Sequence, residues 1–247
     1  MTVYVCIDDT DSLDSRGTGE LADLLAREVE RLSRGTARSI TRHQLLVHPD
    51  IPFTSHNSSM CFIANMEEAY LGSIIEYASE FLVRESAAGS DPGLCIAVAE
   101  RLTRPDMLVE FGYRAKRAVL EMSDAYSLAE ELGVHLSSHG GTGQGVIGAL
   151  AGVGLRLGGN DGRLRGSLQI SAVNGFATVA DILAHPEVDE VRTAEGFLPG
   201  GDVQVRLVDK VKTVLLGGKF VLLIVPDEGE ARDAAWRTCT RQQLKVY

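Results

Sequence analysis

Hydrophobic and polar positions along the chain change period several times. "VYVCI" (Val3 to Ile7) is a short β-rich apolar run, which predicts a buried strand. Three aspartates then fall within four residues: Asp8, Asp9 and Asp11. Beyond Gly17-Thr18-Gly19, residues Leu21, Leu24, Leu25, Val29 and Leu32 recur at helical spacing, with Thr18 placed to cap that helix. "QLLVHPDIPF" reads as a strand and a Pro-bounded turn, "SSMCFIANM" as a strand, and "AYLGSIIEYASEFLVRES" as an amphipathic helix. "DPGLCIAVAE" reads as a turn and a buried strand. "YRAKRAVLE" and "DAYSLAEELG" read as two helices, the second stopped by Gly133.

"SSHGGTGQGVIGALAGVGLRLGG" is the most glycine-dense stretch, and composition changes after it. "GNDGRLRG" suggests a hairpin turn and "TVADILAHPEVDEV" a short helix. "VQVRLVDKV", "KTVLL", "KFVLLIV" and "RQQLKVY" are strand-like. The expected class is α/β, with α+β as the alternative. An N-terminal mixed-sheet domain with helices occupies residues 1–168, and a smaller β-rich accessory domain residues 169–247.

Composition narrows the functional classes. Of 247 residues, 24 are basic and 34 acidic, and the net charge of −10 argues against an extended nucleic-acid surface. Residues 203–247 carry a local excess of Lys and Arg, so an anionic partner at that end stays open. The cysteines Cys6, Cys61, Cys95 and Cys239 form no CxxC pair, which predicts reduced thiols rather than a zinc ribbon. No apolar stretch is long enough for a membrane helix, and no basic-then-apolar leader is visible. A cytoplasmic protein without membrane contact is the expectation.

The candidate chemistry lies in a few segments. Carboxylates crowded at the end of a strand suit a hard cation such as Mg²⁺; a solvated acidic turn is the other reading. Thr18, between Gly17 and Gly19, either meets a phosphate at a helix N-terminus or caps the helix. Gly143, Gly145 and Gly148 match a dinucleotide-type fingerprint in form only, because the preceding "HLSSHG" is polar. Gly141, Gly143 and Gly145 can bring backbone amides to phosphates, while "VIGALAGVGL" packs as a buried helix. His139 reads as a loop hydrogen-bonder. His48, Ser55, His56, Asn57 and Ser58 form a polar cluster, and Arg114, Lys116 and Arg117 a basic knot at a helix start.

Taken in order, "IDDTDS", Gly-Thr-Gly before a helix, "HPDIPF" with a following Asn, "DPG" and "GTGQGVIGALAGVGL" resemble the archaeal tRNA-isoleucine agmatinylcytidine synthetase family. The resemblance covers residues 3–168, the kinase-like part of that family. It implies ATP and Mg²⁺ as cofactors, with Asp8, Asp9 and Asp11 holding the metal on the ATP phosphates. It also implies that Thr18 can receive a phosphate, that Gly17 and Gly19 flank it, and that Gly141, Gly143, Gly145 and Asn57 lie on the nucleotide side. Two departures stand out: Gln144 where the family has an arginine, and "SHNS" where it has "TRGN". No counterpart of the family's C-terminal nucleic-acid module and zinc ribbon is expected within these 247 residues. The implied protein is an ATP- and Mg²⁺-dependent phosphotransferase or nucleotidyl-activating enzyme working on an unidentified acceptor. RNA as acceptor runs against the net charge. A tRNA-modifying enzyme with a separate RNA-binding partner and a non-catalytic nucleotide sensor are the alternatives. The accessory domain would supply acceptor specificity or homodimer contacts, and Arg16, Arg114 and Lys116 are the candidate replacement cations.

Overall fold

The computed structural model describes residues 1–51, 56–227 and 235–247. The chain forms two compact units, Met1–Gly158 and Gly159–Tyr247, dividing where the composition changes and earlier than the boundary at residue 168 expected from the sequence. The first unit holds strands β1 (Thr2–Asp8), β2 (Thr36–Gln44), β3 (Ser58–Asn65), β4 (Gly93–Val98) and β5 (His135–Ser138). Its helices are α1 (Thr18–Ser33), α2 (Leu71–Glu85), α3 (Pro105–Ala115), α4 (Met122–Leu132) and α5 (Gly145–Gly158).

These strands form a sheet in the order β5-β4-β1-β3-β2, with every pair antiparallel. β1 is central, and its side chains alternate between two buried layers, as the two-residue period of a strand requires. Val3, Val5 and Ile7 enter a core with Leu21, Leu25 and Val29 of α1 and Ile74 and Leu82 of α2. Cys6 points the other way, into a core built from Leu108 and Phe111 of α3 and Val146, Leu150 and Val153 of α5. The result is a sheet between two helical layers, so the chain mixes α and β as the sequence suggested. Burying each large aliphatic side chain contributes about 1.5–3 kcal/mol, which makes this double-sided burial the main reason β1 stays in place.

Three segments depart from the sequence reading. "QLLV" is not a strand: the preceding polar stretch "TARSITRHQ" forms β2, with a register shift between Arg38 and Thr41. Leu45 and Leu46 leave the sheet, and their backbone N–H groups donate to the carbonyls of Asn57 and Ala115. The helix assigned to "YRAKRAVLE" begins earlier, with Pro105 in its first turn, and ends at Ala115. Arg114, Lys116 and Arg117 therefore sit at a helix C-terminus, where the dipole favours cations. Finally, "RQQLKVY" forms a 3₁₀ turn over Gln243–Val246 rather than a strand. The Gln243 side chain accepts from the Thr240 N–H at 2.9 Å and its hydroxyl at 3.1 Å, closing the chain locally.

Among its described residues the second unit contains β6 (Arg163–Leu164), β7 (Phe176–Thr178), β8 (Glu190–Arg192), β9 (Gln204–Arg206), β10 (Val214–Leu216), β11 (Lys219–Pro226), β12 (Trp236–Thr238) and one α-helix, α6 (Val179–Leu183). It is β-rich, as expected, and the parallel pairs β8–β11 and β9–β12 lie here. "GNDGRLRG" supplies β6, which pairs with β10, instead of a hairpin. β11 is buried on both faces: Leu222 and Ile224 enter one cluster, Val221 and Leu223 another. All four cysteines are buried free thiols. Among the described residues no helix is long and apolar enough to cross a membrane.

Candidate functional site

The site begins where β1 runs out of apolar residues. By strand alternation Asp8 follows Cys6 and faces α5, and it is almost fully buried. Gly148 of α5 makes this position available, because a Cβ there would overlap the Asp8 carboxylate. The Asp8 carboxyl is pushed up to about 8, first by burial and then by the charges of Asp9 and Asp11, against a hydrogen bond from the Asp9 backbone. Asp9 adopts a left-handed conformation (φ 49°), which turns the chain out of the sheet. Its own carboxyl is pushed up to about 6, first by burial and then by Asp91 and Asp11.

Asp11 reaches the start of α1, where its Oδ2 accepts the Thr18 N–H at 3.4 Å. Gly17, not Thr18, holds the N-cap position and supplies no side-chain cap; Thr18 is the buried first residue of the helix. The capping role considered for Thr18 is therefore absent.

The glycine-rich segment is strand, loop and helix after all. β5, short and polar as an exposed edge strand can be, leads into residues 139–144 and then α5. Asp91, a buried residue just before β4, holds this loop. Its carboxylate accepts the N–H and hydroxyl of Thr142, the latter at 2.8 Å, and the Gly143 N–H at 3.3 Å. Gly141 has φ 55°, and a Cβ there would overlap Asp91. Gly141 and Gly143 thus shape the loop without lining the cleft described next, whereas Gly145 lines it. His139 anchors the loop through its N–H to Pro92, and its Nε2 meets Ser137 at 2.8 Å, consistent with a hydrogen-bonding rather than a basic role.

Around these elements lies a cleft of about 370 Å³. Asp8, Asp9, Asp11, Gly17, Thr18 and Gly19 line one side, with Glu20 beside them. Gln144, Gly145 and Ile147 come from the start of α5, and Leu45, Ala115, Ala118, Val119 and Leu120 provide an apolar wall. Asn57 also lines it, and its amide donates to the Leu46 carbonyl at 2.6 Å, fixing the turn after β2. His56 and Ser58 line the cleft with it, His48 does not, and Ser55 lies outside the described residues.

The cations named from sequence are directed elsewhere. Arg16 pairs with Glu85 at 2.6 Å and Arg114 with Asp124 at 3.7 Å, and neither they nor Lys116 line the cleft. Arg42 of β2 does; its Nε donates to Ser58 Oγ at 3.0 Å. Sequence reasoning missed Arg42 and the latch role of Asp91, since both depend on partners distant in the chain.

The donor chemistry fits a hard cation. Asp8 and Asp9 are held above the carboxylate range by burial and by neighbouring carboxylates, a cost that a positive ion would offset. Among the described residues no three acidic, histidine or cysteine side chains converge as a preformed metal cage. An ion such as Mg²⁺ would need only one or two of these carboxylates and would complete its shell with phosphate oxygens and water.

An acidic loop, a helix N-terminus and a latched glycine loop at one end of a layered α/β sheet make this an α/β protein with a cleft lined mainly by carboxylates among its charged groups. Among proteins of known identity, the chain is 29% identical over 164 residues to the tRNA 2-agmatinylcytidine synthetase TiaS of Thermococcus sibiricus, covering 63% of this chain and 35% of that protein. The crystal structure of apo TiaS, a tRNA agmatidine synthetase, matches 62% of this chain and 35% of its own at 27% identity, with a TM-score of 0.53. The complex of TiaS with its isoleucine tRNA and ATP matches 82% of this chain and 50% of its own at 24% identity, with a TM-score of 0.56, a likeness of fold. No family model matches the chain. The resemblance read from the sequence is borne out as a similarity to curated 2-agmatinylcytidine synthetases, and the chain spans about a third of the length of the curated relatives it matches.

Proposed function

We propose that the first unit binds ATP with Mg²⁺ and transfers a phosphoryl or nucleotidyl group to an acceptor. The observation that carries this reading is the convergence of Asp8, Asp9, Asp11, the α1 N-terminus and Gly145 on one cleft. Relatedness to ATP-using synthetases supports it. One or two carboxylates of the Asp8, Asp9 and Asp11 loop would hold the metal, which would offset phosphate charge. Gly17, Thr18 and Gly19 present the positive end of α1 to the phosphates. The latched loop places Gly145 and the start of α5 against the nucleotide, and the apolar wall from Ala115 to Leu120 takes its base. In transfer, an acceptor oxygen bonds to phosphorus as the bond to the leaving phosphate oxygen breaks, and the acceptor's proton leaves to solvent. Positioning and charge, rather than covalent chemistry by the protein, do most of the work.

The test is incubation with γ-labelled ATP and Mg²⁺, following label into phosphate, pyrophosphate and protein. Wild type yields labelled product, and Asp8→Asn yields none while staying folded. ATP binding without turnover on any acceptor would instead support a nucleotide sensor.

A second reading places the acceptor on RNA, favoured by the tRNA-modifying activity named for the relatives. It expects tRNA binding that weakens steeply with salt and with replacement of Lys210 and Lys212. An affinity insensitive to salt would count against it.

A further inference from the structure

Polyphosphate entering this cleft meets Asp8, Asp9, Asp11, Glu20 and Asp50 on its walls, so a metal at the aspartates offsets only part of the repulsion. Among the described lining residues, Arg42 is the one lysine or arginine. We infer that Arg42 is the specificity-determining cation that receives the polyphosphate of the nucleotide, an inference that rests on the ATP reading above.

Register places it well for this task. Ile7 of β1 lies opposite Met60 of β3, and Met60 lies opposite Arg42 of β2. Residues directly opposite in neighbouring strands share a face, so Arg42 stands on the same side of the sheet as Ile7, the side covered by α1. With strands about 4.8 Å apart, its backbone lies about 10 Å from β1, where the aspartates begin. Phosphates held near the aspartates would then lie across the N-terminus of α1 within reach of the guanidinium. The bond from Arg42 Nε to Ser58 sets the orientation of that planar group. A planar fork of donors matches phosphate oxygens in a way a lysine ammonium does not. This position also answers a gap in the cleft: Gln144, at the start of α5, brings no charge.

The experiment compares binding of ATP, ADP and AMP with Mg²⁺ to wild type, Arg42→Ala and Arg42→Lys by calorimetry, with melting temperatures as control. Wild type prefers ATP over AMP. Arg42→Ala loses about ten- to a hundredfold in ATP affinity, the scale of a charge-assisted contact, and leaves AMP affinity unchanged. Arg42→Lys recovers part of the loss. Arg42→Gln, which keeps a donor for Ser58, gives the same reading if the alanine variant fails to fold. An ATP-to-AMP preference in Arg42→Ala and Arg42→Gln equal to that of wild type would overturn the role of Arg42 while leaving the ATP reading intact. Wild type that binds no nucleotide overturns both.

Discussion

Gly148 of α5 sits against the carboxylate of Asp8, close enough that a single methyl group at position 148 would overlap it. The helix position and the acidic end of β1 are therefore one construction. Gly148→Ala must either displace Asp8 or push α5 off the sheet. Overpacking of this kind costs about 1–3 kcal/mol. The expected outcome is a lower melting temperature together with loss of Mg²⁺-dependent ATP binding. Retention of both would show that the cleft tolerates a shifted Asp8.

The raised Asp8 carboxyl gives the metal-free protein a definite pH dependence. An unfolded aspartate releases its proton near pH 4, whereas folded Asp8 keeps it to about 8. Between those values the folded state binds more protons, so stability falls as pH rises through that window. Asp9 adds a smaller contribution of the same sign between about pH 4 and 6. Asp8→Asn removes the larger effect: its melting temperature falls less between pH 4 and 8 and exceeds that of wild type at pH 8. Adding Mg²⁺ with ATP at pH 8 raises the melting temperature of wild type and leaves Asp8→Asn unchanged. Parallel melting curves for the two proteins across the range would refute the burial argument.

How much of this was legible in the sequence depended on whether the signal was local. β1, α1 and α2 announce themselves through their own pattern of apolar residues, α5 through its run of small apolar residues, and the acidic loop through its crowding. β2 does not, because in "TARSITRHQ" the only large aliphatic residue is Ile40 and the rest is polar or small. Its place is set by pairing with β3 rather than by its own composition. The same logic hid Arg42, whose role appears only once β1, β3 and β2 stand side by side. Asp91 was visible as part of a turn, but its partners Thr142 and Gly143 lie some fifty residues on. Gly148 was readable as packing. What it packs against was not.

The Asp91 latch makes a further prediction. Its three accepted hydrogen bonds hold the loop that opens α5, and it stands close enough to Asp9 to raise that carboxyl. Hydrogen bonds to a charged group contribute about 1.5–3 kcal/mol each at most, and truncation leaves buried donors unpaired. Asp91→Ala should destabilise the protein by about 2–4 kcal/mol on the same basis and weaken ATP binding. Asp91→Asn keeps the shape but loses the charge, so it should lower the apparent pKa of Asp9, read by NMR titration. An unchanged Asp9 titration would separate the latch from the acidic cluster.

Thr18 offers the cleanest separation of structure from chemistry. Gly17 already occupies the N-cap of α1, and no side-chain cap exists there to be lost. Thr18→Ala therefore removes a small side chain at the first helical position and replaces it with the best helix former. Its melting temperature should stay close to that of wild type, a change under about 1 kcal/mol. If Thr18 takes up phosphate during turnover, the variant shows no protein-bound label from γ-labelled ATP while still binding the nucleotide. Thr18→Ser keeps the hydroxyl and restores the label. Label that persists in Thr18→Ala would move the acceptor to another residue, and a large drop in stability would show that the buried methyl, rather than the hydroxyl, is what the position requires.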